Sequence, residues 1–176
     1  NMSRYSALSE KRFSRWYRRR FDFPVFTAML LKLSLPQDGV RIAAIDASFM
    51  SKSRKATEGL GWFYNGAAGE AQRGLETSLV CVVDLKANTA YALDARQTLD
   101  EAGKTRVDLY AEHLVSLAPQ LRQLDIRHVV ADAYYSKVKF VSCVTAAGFE
   151  LVGKLRADAH VKWLHDGVEA YSAVVH

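Results

Sequence analysis

Val40-Arg41-Ile42-Ala43-Ala44-Ile45-Asp46-Ala47-Ser48-Phe49 is mostly apolar and reads as a buried strand with an aspartate close to its end. A second run of the same kind, His128-Val129-Val130-Ala131, leads into Asp132. Between the two lie Leu75–Leu85 and Thr89–Ala95, apolar and rich in β-branched residues, separated by Lys86-Ala87-Asn88 as in a hairpin. Thr105 is placed to cap a helix whose apolar positions Val107, Tyr110, Leu114, Leu117, Leu121 and Leu124 alternate spacings of three and four. Pro119 should kink or break that helix. Beyond Asp132, Ser136 begins a helix through Phe140, Val141, Val144 and Ala147, ended by Gly148, and Phe149–Leu155 reads as a last strand.

The order is strand, strand, strand, helix, strand, helix, strand. It predicts an α/β protein whose mixed sheet has an antiparallel hairpin on one side and parallel crossover units on the other. The ribonuclease H-like fold has this order, and other mixed α/β sheets share it. Residues 50–74 hold five glycines and Trp62-Phe63-Tyr64. A run of that length is functional or hides a strand, and a partly extended segment is expected around Trp62.

Upstream of this body the chain is helical and basic. The formal charge of the 176 residues is +5, yet residues 1–36 carry a net +6 and residues 37–176 a net −1. Lys11, Arg12, Arg15, Arg18 and Arg19 share one face of a first helix, opposite Phe13, Trp16, Tyr17 and Phe21, with Arg20 as the misfit. The aromatic face should dock on the core and turn the arginines outward. Pro24 suits the start of a second helix with Phe26, Met29, Leu30 and Leu33 on its apolar face, and Pro36-Gln37-Asp38-Gly39 reads as a boundary. Two segments are therefore expected: a basic helical one over 1–36 and a globular core over 37–176. A basic segment on a near-neutral body points to an anionic partner, of which nucleic acid is the commonest, although charge runs also serve simply as solvated faces.

No stretch approaches the roughly 20 apolar residues of a membrane span, and the first residues lack the apolar core of a signal peptide, so a cytoplasmic protein is expected. Cys81 and Cys143 lie in apolar runs and suit reduced thiols. His113, His128, His160 and His165 lack the spacing of a zinc site and read as packing residues.

Asp46 and Asp132 carry the chemistry. Two strands adjacent in one sheet would bring these carboxylates together, and their repulsion then calls for a divalent cation or a shared proton, with hard oxygens favouring Mg²⁺ or Mn²⁺. Either aspartate taken singly also suits a cap for the turn that follows it.

Ile45-Asp46-Ala47-Ser48-Phe49, Gly59-Leu60-Gly61-Trp62, Gln97-Thr98, Val130-Ala131-Asp132-Ala133-Tyr134-Tyr135-Ser136-Lys137 and Leu155-Arg156-Ala157-Asp158-Ala159 together resemble bacterial insertion-sequence transposases of the cut-and-paste DDE class. The resemblance covers about residues 40–165. It implies a ribonuclease H-like core, DNA (transposon ends and target) as partner, two Mg²⁺ or Mn²⁺ ions in the complete enzyme, and it allows a homodimer. By motif the first two acidic residues of that class fall on Asp46 and Asp132. The third, a glutamate on a later helix, has no counterpart with motif support. Glu169 stands 37 positions after Asp132 but reads better as a tail residue, so the core is expected to be incomplete at its C-terminal end. Lys52, Arg54 and Lys55, directly after the first strand, are candidate phosphate contacts beside Arg12, Arg15, Arg18 and Arg19. The expected function is DNA strand cleavage and transfer. The alternatives are a catalytically inactive DNA-binding relic, and an unrelated α/β domain whose aspartates cap turns.

Overall fold

The computed structural model describes residues 2–36, 38–52, 57–156, 159 and 161–172. The opening apolar run forms strand β1 (Arg41–Ser51), and the chain continues through β2 (Gly61–Asn65), β3 (Glu70–Asp84) and β4 (Thr89–Gln97). Two short strands, β5 (His128–Ala131) and β6 (Glu150–Gly153), complete a six-stranded sheet. β3 runs antiparallel to β1 on one side, and on its other side it pairs first with β2 and then with β4. β5 lies parallel to β1, and β6 parallel to β5. The order β4, β3, β1, β5, β6 makes a mixed sheet flanked by helices, consistent with the order expected of a ribonuclease H-like fold.

Alternation decides which side chains face the helices. Ala43 and Ile45 of β1, Val80 and Val82 of β3, Leu93 of β4 and Val129 of β5 are all buried. They form one core with residues of α2 (Phe23–Ser34), α3 (Arg106–Ser116), α4 (Ala118–Gln123) and α5 (Val138–Ala146). Burying each large side chain there, Phe140 or Leu114 for example, stabilises the fold by roughly 1.5–3 kcal/mol. α3 starts in a capping box between Thr105 and Asp108, and the expected long helix divides at Leu117, two residues before Pro119. After α5 the chain reverses at Gly148 with φ +83°, a left-handed conformation that glycine adopts without strain.

The extended segment expected around Trp62 is β2. Other expectations need correction: β3 begins at Glu70, five residues before the predicted start. The first helix, α1 (Glu10–Tyr17), buries no residue: Trp16 is 65% and Tyr17 83% exposed, so its aromatic face does not dock on the core. α2 buries a different face from the one expected. Ala28, Leu31 and, just past its end, Leu35 are in the core, whereas Phe26, Met29, Leu30 and Leu33 are exposed. α2 is thus packed into the body against α4 and β4, on the near side of the boundary expected at residue 36.

The C-terminal part holds a separate hairpin of β7 (Val161–His165) and β8 (Val168–Ser172). Glu169 therefore stands on a strand rather than on a helix. Cys81 and Cys143 are free and half-buried. No helix among the described residues is long and apolar enough to cross a membrane.

Candidate active site

β1 and β5 pair in parallel as Ala43 with Val129, Ala44 with Val130 and Ile45 with Ala131, and the described pairing stops there. Asp46 and Asp132 come next in the chain: Asp132 directly follows β5, whereas Asp46 stands at the middle of β1 rather than near its end as expected, because β1 runs on to Ser51 along β3. Paired strands lie about 4.8 Å apart, so Asp46, which stays in β1 opposite Leu79 of β3, and Asp132, which follows the end of β5, stand side by side one step past the last rung between β1 and β5. Both aspartates line one cleft of about 240 Å³. Each is exposed there rather than partly buried, so the desolvation expected from the sequence is not imposed on them. Each carboxylate uses Oδ1 for a local backbone bond: Ala47 N–H donates to Asp46 at 2.8 Å, and Tyr134 N–H to Asp132 at 2.9 Å. Asp132 thus does cap its turn, and one cap leaves its second oxygen available to a ligand.

The other cleft residues come from β2, β3, α3 and the turn after Asp132. Glu76 of β3 is 6% exposed and its carboxylate accepts a short hydrogen bond from the Tyr110 hydroxyl. Burial, with the Glu76 carboxylate beside it, raises the Tyr110 phenol above the ordinary tyrosine range. Arg106 stands 3.9 Å from Glu76, donates to the Trp62 carbonyl at 2.6 Å and stacks over the Phe63 ring at 4.3 Å. It is a cation fixed at the cleft wall and still partly open to solvent. Tyr64, Tyr134 and Tyr135 complete the lining, and the Lys137 ammonium lies 4.2 Å from the centre of the Tyr134 ring.

The sequence reading missed Glu76, Arg106, Tyr110 and Tyr135. A usable signal existed for Glu76 alone of these: counting in twos from Val82 and Val80 puts Ser78 and Glu76 on the inward face, where a polar residue needs a partner.

Three carboxylates therefore border the cleft, but among the described residues no group of three His, Cys, Asp or Glu is close enough to hold a metal ion together. The donors that fit a cation are Asp46 and Asp132, two exposed hard-oxygen ligands with room for water, as a hydrated Mg²⁺ or Mn²⁺ accepts. Glu76 is turned to Tyr110 and Arg106 instead.

Arg12, Arg15 and Arg19 line a surface groove with Trp16, and Arg18 follows the end of α1, exposed like the others. None of them lines the acidic cleft. Lys52 is exposed just beyond β1, and Arg54 and Lys55 lie outside the described residues. His113 is fully buried, with Nδ1 2.9 Å from Ser78 Oγ and Nε2 3.3 Å from Asp94 Oδ2, so it is a packing residue as expected.

No protein-family model and no curated protein matches this chain. Among solved structures it is similar to the piggyBac transposase in a synaptic complex with hairpin DNA, at 14% identity and a TM-score of 0.44, over 66% of this chain and 23% of that one. It is similar also to the Drosophila P element transposase in a strand transfer complex, at 13% identity and a TM-score of 0.41, over 81% and 30% of the two chains. A third is Ciona intestinalis endonuclease V bound to inosine-containing DNA, at 9% identity and a TM-score of 0.41, over 86% and 61%. The chain spans between 23% and 61% of the length of these three proteins.

Proposed function

We propose that this chain carries the acidic part of a metal-dependent enzyme that cuts and joins DNA strands, of the transposase kind. The observation that carries the reading is the emergence of Asp46 and Asp132 side by side, past the last rung of two parallel strands, into one cleft. When bound there, divalent cations supply activation of the attacking oxygen and stabilisation of the leaving one.

The chain's own residues do the rest. Asp46 and Asp132 hold the cation through the oxygens their local caps leave available. Arg106, anchored by the Trp62 carbonyl and the Phe63 ring, meets a phosphate of the bound strand and offsets its charge next to the carboxylates. Arg12, Arg15, Arg18 and Arg19 contact the phosphate backbone away from the cleft, where such contacts position DNA without reading its sequence. With two carboxylates disposed to bind, the affinity for Mg²⁺ or Mn²⁺ is weak and efficient nicking is not expected of residues 1–176 on their own.

The test is titration of the purified chain with Mn²⁺, read by the loss of the free-ion electron paramagnetic resonance signal, beside Asp46→Asn and Asp132→Asn. Weak binding by the parent chain, lost in both variants, supports the reading. Equal binding by all three proteins sinks it. Robust metal-dependent nicking by the unmodified chain would instead show that a third ligand is already present.

A further inference from the structure

Among the described residues three buried side-chain polar atoms lack a hydrogen-bond partner: Arg41 Nε, Gln120 Oε1 and the Tyr135 hydroxyl. Of these residues, Tyr135 lines the Asp46–Asp132 cleft, and it lines the neighbouring cleft under β6 as well. Its position is set locally. Asp132 caps a single 3₁₀ turn, Ala133–Tyr135, and the Tyr135 N–H closes that turn onto the Asp132 carbonyl at 3.2 Å. Its ring is then clamped by Phe140 at 5.0 Å and Tyr110 at 5.5 Å between centroids, leaving the residue 2% exposed.

Phenylalanine would satisfy all of that packing. A phenol there leaves a donor sealed from water and unpaired, which costs free energy, and it does so beside the two carboxylates. The hydroxyl is a donor with no partner, and its residue lines the same cleft as both carboxylates.

We propose that Tyr135 is a positioning residue for the acidic pair, its hydroxyl donating to a carboxylate oxygen of Asp46 or Asp132 when a divalent cation draws those side chains into place. The inference rests on the acidic-pair reading above. It gives the orphaned hydroxyl the role that outer hydrogen-bond partners play at metal sites: fixing the orientation of a ligand whose second oxygen would otherwise be free to swing. Phe140 and Tyr110 on either side hold the Tyr135 ring in place.

The experiment compares the full chain, Tyr135→Phe and Asp46→Asn by thermal unfolding without metal and by Mn²⁺ titration. Tyr135→Phe should melt no lower than the parent chain in the absence of metal, because it loses no bond. Its Mn²⁺ dissociation constant should rise about tenfold, the lower end of the range for such partners. Unchanged Mn²⁺ affinity in Tyr135→Phe, with Asp46→Asn impaired, overturns the role of Tyr135 and leaves the acidic pair standing. A lower melting temperature of Tyr135→Phe without metal overturns it too, since the hydroxyl would already have a partner. If Asp46→Asn binds Mn²⁺ as the parent chain does, the acidic-pair reading falls first and this inference with it.

Discussion

Tyr110 and Tyr135 are neighbouring buried phenols with ring centroids 5.5 Å apart, and removal of their hydroxyls should have opposite effects. In Tyr110→Phe, Glu76 loses its hydroxyl donor and retains Arg106 at 3.9 Å, beyond hydrogen-bonding distance. Glu76 is 6% exposed, so water cannot replace the lost bond without opening the cleft wall. Hydrogen bonds to charged groups contribute roughly 1.5–3 kcal/mol, and a buried acceptor left unpaired costs a similar amount. A loss of about 2 kcal/mol is therefore expected. For a chain of this size each kcal/mol lowers the melting temperature by roughly 2–4 °C, which puts the variant some 4–8 °C below the parent chain. Thermal unfolding at neutral pH measures it, and Glu76→Gln in the Tyr110→Phe background should recover part of the loss by removing the stranded charge. A melting temperature for Tyr110→Phe within 1 °C of the parent chain would refute the account of Glu76 as a carboxylate dependent on that phenol.

Gly74→Ala should destabilise by about 1–3 kcal/mol, because a Cβ would fall 2.5 Å from the Met50 carbonyl oxygen and 2.4 Å from the Phe49 ring; urea unfolding checks it. His113 has its pKa held below the ordinary 6.5 by burial, with the Arg96 charge assisting and Asp94 opposing. The unfolded chain then binds the proton first, so the contribution of His113 to stability is constant above about pH 6.5 and falls as the pH drops from there toward the folded-state pKa. His113→Gln should flatten that part of the stability profile, measured by urea unfolding at a series of pH values, and an unchanged slope would count against it. Replacement of Arg12, Arg15, Arg18 and Arg19 by alanine should weaken binding to duplex DNA and shallow its salt dependence by up to about 0.9 logarithmic unit for each phosphate no longer neutralised. Fluorescence anisotropy across a salt series reads both, and an unaltered slope would exclude these side chains from the interface.

Much of the sheet was legible because strands announce themselves over a few residues. β1, β5 and the β3–β4 hairpin follow from apolar runs and turn residues, and the break between α3 and α4 follows from Pro119. The acidic pair was legible because each aspartate interrupts or follows an apolar run, although Asp132 alone stands at a strand end and Asp46 lies at the middle of β1. What failed were inferences about partners. α1 is amphipathic, but periodicity does not say whether another surface meets its aromatic face, and in the structure none of its residues is buried. α2 is apolar nearly all round, so its wheel offers more than one face to the core and hydrophobicity alone does not select between them. Glu76, Arg106, Tyr110 and Tyr135, which also line the cleft, come from β3, α3 and a 3₁₀ turn, and no local pattern shows that they meet.

The ladder between β1 and β5 also has a kinetic meaning. Ala131 reaches Ile45 only after β2, β3, β4, α3 and α4 have been threaded between them, and parallel pairing across so much chain is slow because loop closure must be met before any contact rewards it. The hairpins of β3 with β2 and β4 can close locally and early. Asp46 and Asp132 become neighbours only with the long-range rung next to them, so during refolding the capacity to bind Mn²⁺ should appear in the slowest phase, after most of the antiparallel structure is in place.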